Sequence, residues 1–192
     1  MNPVNLKDYA DGASVLSKPA GDWLFDEAKN LMPMIVWTNK ARIAYIRKVR
    51  KFFGYTDISE NEPVVIRENK NGMVNNETGV VFRTAFTGLI EVDFGMGKII
   101  PFKPFLEDIE EFRPKRTITT RFAYAITAHT SQGGEWDRVL VDLDSYKAMA
   151  HRSPIEARRW LYTAVTRAKQ QLIIVRDLHK WLGLKNKRRM AA

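Results

Sequence analysis

Cysteine is absent from the 192 residues. Disulfides and thiolate metal sites are therefore excluded, and a reducing, cytoplasmic setting is the expectation. No apolar run approaches the length that spans a bilayer, so no membrane partner is expected. The stretch Met1–Asp8 lacks a basic segment followed by an apolar one, and no signal peptide is expected there. No internal repeat or low-complexity tract is present. The Gly-x-x-x-x-Gly-Lys-Ser/Thr phosphate loop is also missing. Its nearest approach, Gly95-Met96-Gly97-Lys98-Ile99, lacks both the upstream glycine spacing and the hydroxyl after lysine. Asp26-Glu27 follows only Trp23-Leu24-Phe25, a poor strand for an acidic metal-binding pair. Acidic residues are in deficit too, 22 against 31 Lys and Arg, for a net charge of +9.

What remains is a chain able to fold. With 45% hydrophobic and 11% aromatic residues it can bury a proper core. The positive charge points to a polyanion, most simply nucleic acid; ordinary solubility charge is the alternative.

Along the chain, residues 1–32 read as a connector with a short helix near Asp22–Leu31, because Gly12, Pro19 and Gly21 interrupt the apolar stretches. Met34–Trp37 suits a buried strand. Thr38-Asn39 then caps a helix from about Lys40 to Phe53, stopped by Gly54. Residues 60–115 change character, with short β-rich runs at Val64–Ile66, Val80–Phe82, Gly88–Phe94 and Lys98–Phe102 between turn signals. That spacing predicts a small antiparallel barrel. From Phe122 the pattern is α/β again. Strands are predicted at Phe122–Thr127, Val139–Leu143 and Leu172–Val175. Ser153-Pro154-Ile155-Glu156 is a capping box opening a helix to about Gln170. Residues 181–192 form a basic tail. The fold expected is therefore α/β, with a parallel sheet formed by residues 33–59 and 116–180 and a β insert at 60–115.

Two segments carry chemistry. In Thr127–Trp136 a strand end feeds a polar loop, the place where α/β folds hold ligands. Thr127, His129 and Gln132 lie on it, and Gly133-Gly134 allows close backbone approach to a phosphate or sugar. The alternative is a turn whose polar groups only satisfy backbone. In the second segment, Leu161–Ala168, Arg167 has the apolar neighbours Ala164, Val165 and Ala168. A guanidinium near a core face needs an anion, either a phosphate or an internal carboxylate such as Asp142 or Asp144.

Taken together, Thr-x-His-x-x-Gln-Gly-x-Glu-Trp (127–136) and Tyr-Thr-Ala-Val-Thr-Arg-Ala (162–168) resemble motifs V and VI in the C-terminal motor domain of superfamily 1 helicases. The look is that of the RecD and Dda branch, in which an SH3-like domain is inserted ahead of motif V. Asn75–Gly79 resembles the Asn-Gly-Glu-x-Gly turn at the start of that insert, with Asn76 in place of Gly. Trp37–Lys40 resembles motif IV. Arg50 matches a family arginine downstream of Asn39, while Ile46 stands where an asparagine is usual. The resemblance covers residues 33–177 and implies a RecA-like domain with helices on both faces, interrupted by an SH3-like β-barrel.

The resemblance also implies roles. Arg167 would act catalytically as an arginine finger on the γ-phosphate of ATP. Gln132, Gly133 and Glu135 would line the nucleotide side of the cleft with it. Thr38, Asn39, Arg50, Thr127, His129, Tyr162 and Thr163 would face single-stranded DNA, Tyr162 and Thr163 coupling the two surfaces; core packing is the alternative for Tyr162. ATP and Mg²⁺ would be held mainly by an N-terminal motor domain, in this or another chain. No protein metal site is expected in this half, and alone it should be inactive as an ATPase. The rival expectation is a nucleic-acid-binding module without motor activity.

Overall fold

The computed structural model describes residues 13–184, so the first part of the expected connector and most of the expected basic tail lie outside the described residues. The elements in chain order are β1 (Ser14–Pro19), α1 (Trp23–Lys29), β2 (Met34–Val36), α2 (Asn39–Phe53), β3 (Pro63–Ile66), β4 (Thr78–Thr84), β5 (Ile90–Asp93), β6 (Ile99–Phe102), β7 (Pro104–Leu106), β8 (Ile118–Phe122), β9 (Ala125–Thr127), β10 (Trp136–Asp142), α3 (Leu143–Ala150), α4 (Pro154–Val165), β11 (Ala168–Arg176) and α5 (Leu178–Trp181).

Five strands pair in the order β1-β11-β10-β2-β9, every pair parallel. Successive side chains in these strands point to opposite faces, and the burial shows it. Met34, Val36, Leu140, Ile173 and Val175 join one core with Leu24 and Phe25 of α1, Tyr45 and Val49 of α2 and Leu178 of α5. Ile35, Val139, Val141, Leu172 and Ile174 join a second core with Met149 of α3 and Trp160, Leu161 and Val165 of α4. Helices thus cover both faces of a parallel sheet, the RecA-like arrangement, which is why β2 and the second halves of β10 and β11 are continuous apolar runs rather than alternating.

The remaining strands form a second sheet in the order β6-β5-β4-β3-β8-β7, antiparallel except for β7 with β8. Its inward residues, among them Val64, Val81, Val92, Phe102 and Phe122, continue the α2 core. The insert is therefore packed against the face that α2 covers.

The helix boundaries follow local chemistry. Thr38 Oγ1 accepts from Ala41 N at 3.2 Å to cap α2, and Gly54 ends it at φ 73°. Ser153 Oγ accepts from Glu156 N at 3.3 Å, with Pro154 in the first turn of α4.

Four sequence expectations differ from the structure. Ser14–Pro19, within the stretch read as a connector, pairs along β11 as an edge strand. The run Phe122–Thr127 is not one strand: Ala123 N donates to Pro63 O at 2.8 Å, in the second sheet, while Tyr124 O accepts from Met34 N at 2.9 Å, in the first. The chain crosses between sheets at these two residues, and a continuous apolar run does not show the exchange of partner. Helix α4 ends at Val165 rather than near Gln170, because Ala168 is already paired with Trp136 at the start of β11. Helix α3 was not expected at all. Asp142 caps it by accepting from Asp144 N at 3.0 Å.

Candidate functional site

Val36 and Thr127 are register partners, so β2 and β9 deliver their following loops side by side at the carboxyl edge of the parallel sheet. Helix α4 closes the third side. Between them lies a cleft of ≈ 510 Å³ lined by Trp37, Thr127, His129, Gln132, Thr163 and neighbours. Thr127, His129, Gln132 and Thr163 come together there, although the resemblance placed Gln132 on the nucleotide side and the other three on the DNA side.

The loop after β9 is tight and largely self-satisfied. Ser131 N donates to Thr127 O at 3.0 Å, the buried Ser131 hydroxyl donates to Ala128 O at 2.8 Å, and the hydroxyls of Thr127 and Thr130 lie 3.1 Å apart. The backbone is thus served, while His129, Gln132, Gly133 and Glu135 stay exposed. Gly133 sits at φ +84°, a left-handed conformation that glycine adopts without strain. Gly134 is required for a different reason: a Cβ there would come within 2.7 Å of the Trp136 indole. Glu135 reaches Lys169 at 3.6 Å on the surface.

Arg167 lies just past the end of α4 and is held on three sides by neutral acceptors. Its Nε donates to Thr163 O at 3.2 Å, Nη1 to Gly134 O at 3.1 Å and Nη2 to Thr166 Oγ1 at 3.1 Å. Among the described residues no carboxylate pairs with it. The two candidates for an internal salt bridge are engaged elsewhere. Asp142 Oδ2 meets His179 Nε2 at 3.0 Å and Asp144 Oδ2 accepts from His179 N at 3.0 Å. The hydrogen bond to Asp142 raises the His179 pKa above its ordinary value, burial opposing it. Asp142 also accepts from the Ser145 hydroxyl, which in turn accepts from Trp37 N at 3.1 Å. This buried chain ties the loop after β2 to α3 and α5.

The other expected contacts divide. Thr38 and Asn39 are exposed at the start of α2, although Thr38 Oγ1 is spent on the cap and Asn39 Oδ1 accepts from Arg42 Nε at 3.1 Å. Tyr162 is 57% exposed, so core packing does not describe it. Arg50 departs from the expectation. It is 6% exposed, with Nε on Glu62 Oε1 at 2.9 Å, Nη2 on Asp57 O at 2.7 Å and its guanidinium 4.1 Å from the centroid of the Phe122 ring. It fastens α2 to the segment entering β3, and its guanidinium is engaged by these internal partners. Arg42 is buried likewise, paired with Asp108 at 2.8 Å. The basic face of α2 therefore loses two of its cations to internal pairs, leaving Lys40, Arg47 and Lys51 exposed. Trp37, Arg159 and Trp160 line the cleft and were not singled out as site residues. No local signal marks them, since helical spacing makes Trp160 look purely like core.

Residues 122–175 match the family model of the UvrD-like helicase C-terminal domain. That segment is thus similar to the C-terminal domain of UvrD-like helicases. The match takes in β9, the loop to Trp136, α4 and most of β11, that is, every element of the cleft except the loop after β2. No curated protein matches the chain significantly. Among solved structures, the chain is similar to Bacteroides Pif1 bound to single-stranded DNA, at 16% identity and a TM-score of 0.51 over 88% of this chain and 44% of that one. A Pif1 structure described as unwinding forked duplex DNA by two coordinating helicases gives 17% identity and 0.50 over the same shares. Unliganded Pif1 from Bacteroides sp. gives 14% and 0.50, again over 88% and 44%. At such identity the likeness speaks for the fold, and the chain spans less than half the length of these proteins.

Proposed function

We propose that this chain is the C-terminal half of an ATP-dependent DNA helicase of the RecD and Dda kind, with Arg167 as its arginine finger. The observation that carries the reading is the state of Arg167: a guanidinium pre-oriented by three neutral oxygens and paired with no carboxylate among the described residues. An anchored, uncompensated cation at a loop edge suits an anion brought from outside, and a phosphoryl group in transfer is such an anion. Gln132, Gly133 and Glu135 flank it on the exposed loop and would meet the nucleotide. Thr127, His129 and Thr163 on the cleft, with Thr38 and Asn39 at the start of α2, would follow a DNA strand. Tyr162 would join the two surfaces. The β3–β8 sheet is the candidate for the SH3-like insert.

ATP and Mg²⁺ would be held mainly by the partner motor half. Arg167 would offer one cationic contact to a phosphate. ATP supplies the phosphoryl group whose transfer drives movement; this chain's part is to place Arg167 against it.

The test is ATP hydrolysis stimulated by single-stranded DNA, with the N-terminal motor half supplied from the native gene or its neighbourhood. Arg167→Ala is expected to lower the rate by about 10³–10⁵, since removing such a finger costs that much, while the melting temperature stays near wild type. Activity of the isolated chain, or an unimpaired variant in the complete motor, would refute the assignment. Tight DNA binding with no hydrolysis in the mixture would leave a binding module in its place.

A further inference from the structure

The loop after β2, one wall of the cleft, is held from underneath. Trp37 N donates to Ser145 Oγ at 3.1 Å, the Ser145 hydroxyl donates to Asp142 Oδ2, and His179 Nε2 lies 3.0 Å from the same oxygen. Asp142 Oδ1 accepts from Asp144 N, and Asp144 Oδ2 accepts from His179 N, each at 3.0 Å. One chain of polar groups thus runs from α5, through the end of β10 and α3, to the residue before Thr38 and Asn39. Asp142 is 0% and Ser145 1% exposed, so neither can touch a strand or a nucleotide, and both can act only through Trp37. Burying a carboxylate and a hydroxyl costs free energy that apolar side chains would not. The cost falls where the buried charge has a cation, and the partly exposed His179 side chain is the group beside Asp142 that can supply one. The charged groups acting on His179 are Asp142 and Asp144. Lys48 reaches α5 from α2, but its Nζ is engaged 2.6 Å from Trp181 O. Arg176 of β11, and Asp177 and Lys180 beside His179, are exposed. The hydrogen bond to Asp142 raises the His179 pKa above 6.5, burial opposing it.

We propose that Asp142 and Ser145 are positioning residues for the loop after β2, with His179 as the proton-sensitive latch that holds them. Protonated, His179 donates from Nε2 and gives the buried carboxylate its cation. Asp142 then fixes the Ser145 hydroxyl, and Ser145 Oγ keeps a lone pair on Trp37 N. Neutral His179 leaves that carboxylate without a countercharge, and its Nδ1–H tautomer turns an acceptor toward Asp142. Water drawn in to solvate Asp142 competes with Ser145 for the Trp37 N–H. The loop that presents Thr38 and Asn39 then loosens. Grip on single-stranded DNA is complete while His179 is charged and weakens as pH rises through its pKa. The proposal rests on the DNA-binding reading above and adds to it the groups that hold one wall of the track.

The chain has three histidines, so His129→Gln with His151→Gln leaves His179 as its sole histidine. All comparisons are made in that background with the complete chain. Anisotropy of a labelled oligothymidylate at fixed ionic strength measures affinity from about pH 5.5 to about pH 8.5. Affinity is expected to fall about fivefold to tenfold over that range, the size of a modest coupling between two sites. His179→Gln, which keeps a neutral donor, should remove the dependence. Ser145→Ala should flatten it too, at an affinity weak throughout, while His179 still titrates by NMR. Groups that only supported the fold would lower affinity equally at every pH. A slope that survives His179→Gln, or a Ser145→Ala protein with the affinity and slope of its parent, would overturn the proposal. The Trp37 amide resonance, picked out by isotope-labelled tryptophan and Trp37→Phe, gives a readout without DNA. It should move with the His179 titration and cease to do so in Ser145→Ala. If no strand binds at any pH but the resonance follows His179, the latch stands and the DNA-binding reading falls. A resonance indifferent to His179 overturns the latch whether or not DNA binds.

Discussion

Arg50 separates a structural from a nucleic-acid role most sharply. It is 6% exposed, and its partner Glu62 is fully buried, with Ser59 N donating to Glu62 Oε2 at 2.9 Å. Removing the guanidinium leaves a buried carboxylate with a backbone N–H as its main support. Breaking one side of such a pair costs about 3–5 kcal/mol, and loss of the stack on Phe122 adds to it. For a chain of this size each kcal/mol lowers the melting temperature by about 2–4 °C, so Arg50→Ala should melt about 6–20 °C early. The pair itself is not the source of that much stability. Burial raises the Glu62 pKa and Arg50 only partly offsets it. A carboxyl raised in the folded state gives its full stability below the unfolded value of 4.5 and loses it as pH rises through the folded value. At neutral pH the ionised carboxylate is therefore a burden, and Arg50→Met with Glu62→Leu should cost less than either single change. Asp57 O and Ser59 N, near the surface, would then take water. Urea titrations followed by tryptophan fluorescence at neutral pH measure all of these. An Arg50→Ala protein with a wild-type midpoint and weakened DNA binding would refute the reasoning and restore Arg50 to the DNA track.

Two further outcomes are expected. Gly134→Ala drives a methyl to within 2.7 Å of the Trp136 ring and should destabilise by about 1–3 kcal/mol, as overpacking does; because Gly134 O anchors Arg167, hydrolysis by the complete motor should fall as well. A variant with wild-type melting and activity would show that Trp136 moves aside freely. His179, whose pKa is raised by its bond to Asp142, contributes stability that is complete below the unfolded value of 6.5 and is lost as pH rises through the folded value. His179→Gln should thus lower the melting temperature more at about pH 5.5 than at about pH 8.5; an equal loss at both would assign the residue to packing alone.

The sequence by itself determined whatever depends on neighbours along the chain. Thr38 and Gly54 bound α2, Ser153 and Pro154 open α4, and the apolar runs at Met34, Val139 and Leu172 specify buried parallel strands, because caps and periodicity act within a few residues. It also carried the two motifs whose residues gather at one sheet edge. Tertiary structure decided the rest. Phe122–Thr127 reads as one strand, yet its two halves bond to different sheets, since pairing partners lie far away in sequence. Arg42, Arg47 and Arg50 look alike on a basic helix, and only the positions of Asp108 and Glu62 decide that two are internal ties and one is exposed. Asp142 and Asp144 were plausible partners for Arg167 until His179 and the cap of α3 occupied them. Trp160 reads as core on helical spacing, and only the loops after β2 and β9 make it part of a cleft wall. Burial and charge pairing depend on distances in space, and a linear pattern holds no record of them.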